Sequence, residues 1–283
     1  MKKTLFFLGI LTLSIYGFSQ ESFQVRYDYD ASGNANFIAD NYTKIPVYVS
    51  LNFSYLDYAS FMEELPYIKR IEPGTSPLFT IYREQGQPSP SFNIEVKWYP
   101  SHPSPEVDPE YPYLIPVKPG VSVKISDDIT NGNSRSVGFI PEGSSEICAA
   151  RKGVVVKIMG NNHPDLPLKN QQLNLVQVLH EDGTIGEYFH FGYREINCQP
   201  GETVIPGQVL GKAARLSDGN PYFGFSLFHS DLYSDTPKFL IPEFFKEGDD
   251  ISQLENGKSY KAVQDDKIVR RELTRKEKKA LKK

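Results

Sequence analysis

Apolar and polar residues alternate with a period of two along most of this chain, and turn residues break the alternation at short intervals. The runs SFQVRYDY (22–29), KIPVYVSLNFSY (44–55), PLFTIYRE (77–84) and SFNIEVKWYP (91–100) each read as a strand with one buried face. Several such strands, separated by pieces like DASGNA and EPGTSP, predict a β-sandwich of immunoglobulin-like size over residues 21–115. The stretch 99–120, which spans the end of that domain, is dense in proline, which excludes a central strand or helix and predicts an extended connector or structured loop. His102 lies in that stretch and reads as a solvated loop residue.

A second β pattern fills residues 116–247. GSSEICAARKGVVVKIMG predicts two strands around a turn at Lys152–Gly153. LNLVQVLHEDGTIGEYFHF predicts a hairpin turning at Asp182–Gly183. INCQPGETVIPGQVLGKAA carries turns at Gly201 and Gly207, and NPYFGFSLF (220–228) closes the series. In that last run Phe223, Phe225 and Leu227 share one face, while Tyr222, Gly224 and Ser226 share the other. A glycine inside a strand marks a bulge, a close approach of another group, or a lost side chain.

Composition agrees with an all-β chain, rich in Tyr, Phe, Gly and Pro. Residues 1–20 join Lys2–Lys3 to an apolar run and a small-residue exit at Gly17 and Ser19, the grammar of a signal peptide. Export to a bacterial periplasm or the extracellular space follows, with a retained N-terminal anchor as the alternative. The net charge of −4 hides a basic end: Lys267–Lys283 holds nine Lys/Arg against Glu272 and Glu277. The extension 248–283 therefore reads as ending in a short helical or disordered basic tail, either docking weakly on an anionic surface or simply solvated. No nucleic-acid partner is expected.

Candidate chemistry is sparse. Cys148 and Cys198 each precede a glycine-marked turn, so a disulfide between neighbouring strands and two buried thiols both remain open. His180 and His190 lie at opposite ends of the predicted hairpin, too far apart to share an ion. His163 falls in a polar loop, and His229 with Asp231 reads more simply as a capped turn or a solvent-facing pair than as a chelate. No serine sits in a nucleophile elbow.

The runs from EGSSEICAARKGVVVKI, beginning at Glu142, to INCQPGETVIPGQVLGKA, ending at Ala213, resemble the β-core of the LytM/lysostaphin-type zinc metallopeptidase family, a resemblance over about 115 residues. The matches are Ala149–Ala150 before Gly153–Val154, the HEDGT turn, Tyr188-x-His190, and the V-x-x-G turns. The resemblance implies an antiparallel β-sheet core of the duplicated-hybrid-motif kind and, in active members, zinc held by an H-x-x-x-D and an H-x-H element. Laid on this chain, the first element falls on SRSVG, with Ser134 and Gly138 at its ligand positions. The second falls on YFG, with Tyr222 at the catalytic histidine and Gly224 at the zinc ligand. Only His190 matches a functional position, so no zinc or other cofactor is expected.

The resulting expectation is a secreted, catalytically inactive relative acting as a binding or regulatory module. Tyr188, Phe189, His190 and Tyr222 would wall a groove for a peptidoglycan peptide or glycan, and a cell-wall amidase or other envelope protein would be the partner. An active zinc endopeptidase with unconventional ligands, and a structural envelope protein binding through its sandwich, are the alternatives.

Overall fold

The computed structural model describes residues 22–127, 135–160 and 173–281. The expected signal peptide, Ser134 and His163 lie outside the described residues. The described chain is almost entirely antiparallel β-structure and separates into two units. One runs to Ser104 and includes Ser230–Thr236, and the other comprises Pro105–His229 and Pro237 onward.

The first unit contains β1 (Phe23–Tyr29), β2 (Ala35–Asn41), β3 (Val47–Asp57), β4 (Ala59–Ser60), β5 (Tyr67–Ile71), β6 (Gly74–Arg83) and β7 (Ser91–Tyr99). They form two sheets, ordered β1-β2-β6-β4 and β5-β3-β7. Alternation supplies the inner faces: Ala35, Phe37 and Ala39 from β2 are buried, as are Val47, Val49 and Leu51 from β3. Aromatic rings join the two sheets, Phe37 to Phe92 at 5.3 Å and Phe23 to Trp98 at 5.8 Å. Such offset contacts add to the hydrophobic gain of a small sandwich. His102 is exposed and accepts a hydrogen bond from the Ser104 N–H, as a loop residue would.

The second unit begins with β8 (Pro112–Leu114), β9 (Ser122–Ile125), β10 (Val137–Pro141), β11 (Glu146–Cys148) and β12 (Gly153–Met159). It continues with β13 (Leu175–Leu179), β14 (Ile185–Phe189), β15 (Phe191–Ile196), β16 (Thr203–Val204), β17 (Val209–Arg215) and β18 (Pro221–His229). The end holds β19 (Lys238–Leu240), β20 (Glu243–Phe245), β21 (Ile251–Ser252), β22 (Ser259–Lys261), α1 (Asp266–Arg270) and α2 (Arg275–Ala280). The main sheet is ordered β16-β12-β13-β14-β18-β10-β9-β22, and β17 pairs with β11, β15 and β18. The β13–β14 hairpin turns at Asp182–Gly183 with Gly183 at φ +82, the left-handed conformation that glycine accepts without strain.

One face of the main sheet carries Val155, Val176, Val178, Tyr188, Phe223, Phe225 and Phe139 into the core. Against it pack Ile147, Ala149, Ala150, Phe191, Cys198 and Leu210. The proline-rich connector joins this unit from Pro105 on, because β8 pairs in parallel with β20.

The basic end is neither frayed nor free of the domain up to Leu281. The strand β22 pairs with β9, Val269 packs with Leu114 and Phe245, and Leu273 is buried. Its few apolar residues, Ile268, Val269, Leu273 and Leu281, form only a thin stripe, which suffices because a buried cation grips the segment as well. Arg151, 2% exposed, meets both carboxylate oxygens of Glu272, and Lys152 pairs with Glu277 at 2.8 Å.

Candidate functional site

The two glycines that stand at metal-ligand positions in the resemblance are neighbours in the sheet. Gly138 on β10 and Gly224 on β18 are register partners, and Phe189 on β14 is the partner of Gly224 on its other side. Register partners project to the same face. Gly138, Gly224 and Phe189 therefore form one row across three strands, on the face opposite the core. A Cβ built on Gly224 would fall within the ring of Phe189, which is 4% exposed. The glycine is thus a close-approach glycine, and its place over the sheet is taken by an aromatic ring.

This corrects the expected groove in two respects. Phe189 fills the space above Gly224 instead of walling an opening. Tyr188 is fully buried on the core face, where its hydroxyl accepts a hydrogen bond from the Ala150 N–H at 2.8 Å. It cannot meet a ligand there, and burial pushes its phenol well above the usual range.

His190 does join Tyr222. Their ring centroids are 4.8 Å apart, and His190 lies 5.1 Å from the ring of Phe189. Simple alternation would put His190 on the core side with Tyr188. It escapes because its φ is +70, which breaks β14 from β15 and turns the imidazole toward Tyr222. The His190 carbonyl accepts from the Ala214 N–H at 2.7 Å, which pins the break against β17. Both rings are half-buried, and burial raises the Tyr222 phenol above its ordinary value.

Beside this aromatic group runs a polar row that sequence reading missed. Lys157, Gln177, Glu187 and Ser226 are successive register partners across β12, β13, β14 and β18. Gln177 donates to Glu187 at 2.7 Å, and the Ser226 and Ser136 hydroxyls are 2.6 Å apart. Burial pushes the Glu187 carboxyl up, against the opposing effects of Gln177 and Lys157, and burial lowers Lys157. The signal was present in the sequence, since Glu187 and Ser226 share parity with Phe189 and Gly224 respectively.

The remaining candidates are structural. His180 is 3% exposed, its Nδ1 is 2.7 Å from the Lys152 carbonyl, and its Nε2 has no partner. Burial, then the nearby Arg151 charge, holds it down to about 3, so it is a neutral imidazole with the proton on Nδ1. Arg151 itself bridges Asp182 at 2.8 Å, donates to the Tyr113 hydroxyl and lies 3.5 Å over the Tyr111 ring. Asp231 accepts from the Tyr233 N–H, the capped turn read from the sequence. Among the described residues, no group of three His, Cys, Asp or Glu side chains could hold a metal ion.

Cys148 and Cys198 are both buried free thiols, so the bridge left open by the sequence is not formed. The reason is topological. Cys148 pairs with Val209 on one side of β17, while Asn197 beside Cys198 bonds to Leu210 on the other. Two strands that flank a third stand about 9–10 Å apart, beyond the reach of a disulfide. Burial pushes the thiols up to about 12 and about 11.

No family model matches the chain, and no curated protein matches it. Similar solved structures include the SpoIIQ–SpoIIIAH pore-forming complex, at 19% identity and a TM-score of 0.33, covering 46% of this chain and 89% of that one. The catalytic domain of the antimicrobial peptidase lysostaphin from Staphylococcus simulans aligns at 19% identity and a TM-score of 0.29, covering 46% and 88%. Csd3 of Helicobacter pylori aligns at 13% identity and a TM-score of 0.31, covering 88% and 72%. Peptidases of the lysostaphin type are therefore among the solved structures to which this chain is similar, each at low identity.

Proposed function

We propose that this chain is an exported cell-envelope protein whose peptidase-like domain binds or regulates instead of cleaving. The observation that supports the reading is the row Gly138–Gly224–Phe189. Two positions that would each need a metal-binding side chain have none, and a ring occupies the space that a side chain on Gly224 would enter. With such ligands gone, there is no Lewis acid to polarise an amide and no metal to lower the pKa of a water. The described residues do not fit a zinc centre.

What the face offers instead is recognition. His190 and Tyr222 present a tilted pair of rings with hydrogen-bonding groups at the edge of the filled row, on the face that carries Glu187. Holding a non-glycine residue at positive φ costs about 1–3 kcal/mol, a strain that concentrates at binding and catalytic positions. A cell-wall peptide or glycan strand, or a cell-wall enzyme presenting such a segment, suits this mixture of aromatic and polar groups. The zinc content of the purified mature protein, measured alongside cleavage of cross-linked muropeptides with and without chelator, tests the reading. We expect no stoichiometric zinc and no cleavage, whereas one zinc per chain with chelator-sensitive hydrolysis overturns it.

A further inference from the structure

We propose that α2 is a fixed cationic platform that docks the protein on an anionic phospholipid surface. The inference rests on how the structure divides the charges of the C-terminal segment. Its two acidic residues after α1 both turn inward, Glu272 to the buried Arg151 and Glu277 to Lys152. The Glu277 carboxylate also accepts from the Thr274 N–H, closing a capping box, and these contacts hold it down to about 2. The domain thereby consumes the negative charge of the segment and leaves the positive charge outside.

The cations left over are Arg275, Lys276, Lys278 and Lys279, of which all but Lys278 are exposed. Among the described residues, none of the four forms an ion pair. Arg270 and Arg271, by contrast, are already paired with Asp266 and Asp108. At about 100° per residue, the four cations cover an arc of about 160° centred opposite Glu277. The tether therefore points one way and the charge the other.

Two features favour a lipid surface as occupant. The cations stand on the convex side of a helix about 9 Å long, a shape suited to a plane of phosphate headgroups and not to a single enclosed phosphate. Four Lys/Arg in one turn and a half also lie within the number that gives measurable attraction to anionic bilayers. The segment is already ordered by Arg151 and Val269, so binding does not have to fold it.

The test is co-sedimentation of the mature full chain with vesicles of pure phosphatidylcholine and of phosphatidylcholine mixed with phosphatidylglycerol, at low and high salt. Binding to the mixed vesicles alone, weakened by salt, is expected. The variant R275Q/K276Q/K278Q/K279Q keeps good helix formers and should lose about fivefold in affinity per cation removed. Circular dichroism and thermal unfolding confirm that it retains the fold. Equal binding to both vesicle types, no vesicle binding, or unchanged binding by the variant overturns the proposal. Binding of the wild type to inorganic polyphosphate but not to vesicles overturns the lipid assignment.

Discussion

The ring of Phe189 lies where the side chain of residue 224 would have to be, and Gly224 is the residue that permits it. The two are register partners on adjacent strands, so the fit is a cross-strand pair of the largest kind against the smallest. Phe189 is buried by this arrangement at the level of a core residue although it stands on the outer face. The pair therefore stabilises the sheet at the place where the resemblance puts a metal centre.

Gly224→Ala should destabilise the protein by about 1–3 kcal/mol, the usual cost of forcing atoms into a filled site. Phe189→Ala should cost about 3–5 kcal/mol by leaving a void. Because each change relieves the other, the double variant should lose less than the sum, with a coupling of about 0.5–3 kcal/mol. Denaturant unfolding of the three variants measures this cycle. Strict additivity would mean that the ring and the glycine do not share one space.

Much of this was legible in the chain. The hairpin at Asp182–Gly183 and the two faces of Pro221–His229 follow from alternation and turn chemistry alone. The groove was misread because alternation fails at one residue. Tyr188 and His190 have the same parity, but the positive φ of His190 sends them to opposite sides, and no local signal marks a histidine for that conformation. The filling of Gly224 was equally hidden, since it depends on the register between β14 and β18. The docking of the basic end depends on Arg151 and Glu272, 121 residues apart, a distance over which a local stripe says nothing.

Arg151→Met should cost about 3–5 kcal/mol, because it leaves the largely buried Asp182 and Glu272 carboxylates without their cation. The same change should loosen the end of the chain. Limited proteolysis should then cut within α1 and α2 under conditions where the wild type resists. Glu272→Gln, which leaves Arg151 its Asp182 partner, should produce the milder version of both effects.

His180 makes stability depend on pH. Its folded value of about 3 lies below the unfolded value of about 6.5, so its contribution is present in full above about pH 6.5. As the pH falls from there toward 3, the unfolded chain takes up a proton that the folded one refuses. Stability should decline by up to about 1.4 kcal/mol per unit over that window. Asp182, also lowered, adds to the loss only below its own ordinary value of 3.8. His180→Asn keeps a donor for the Lys152 carbonyl and should flatten the slope between about pH 6.5 and 4. In the native protein the His180 Cε1–H resonance should not titrate between about pH 8 and 5.

His190 and Tyr222 carry the recognition reading, and their variants separate it from the view that the domain is only a scaffold. Neither ring is needed for the core, so His190→Ala and Tyr222→Ala should leave unfolding within about 1 kcal/mol of wild type. If the edge of the filled row binds cell-wall peptides or glycans, each substitution should weaken binding to purified peptidoglycan about tenfold. That loss corresponds to removing one ring contact and its hydrogen bond. Tyr188→Phe is the control: it deletes the hydroxyl that receives the Ala150 N–H in the core, so it should lower stability by about 1–3 kcal/mol without changing affinity. Binding that survives both ring deletions would place the contact surface elsewhere, with the sandwich unit as the next region to dissect.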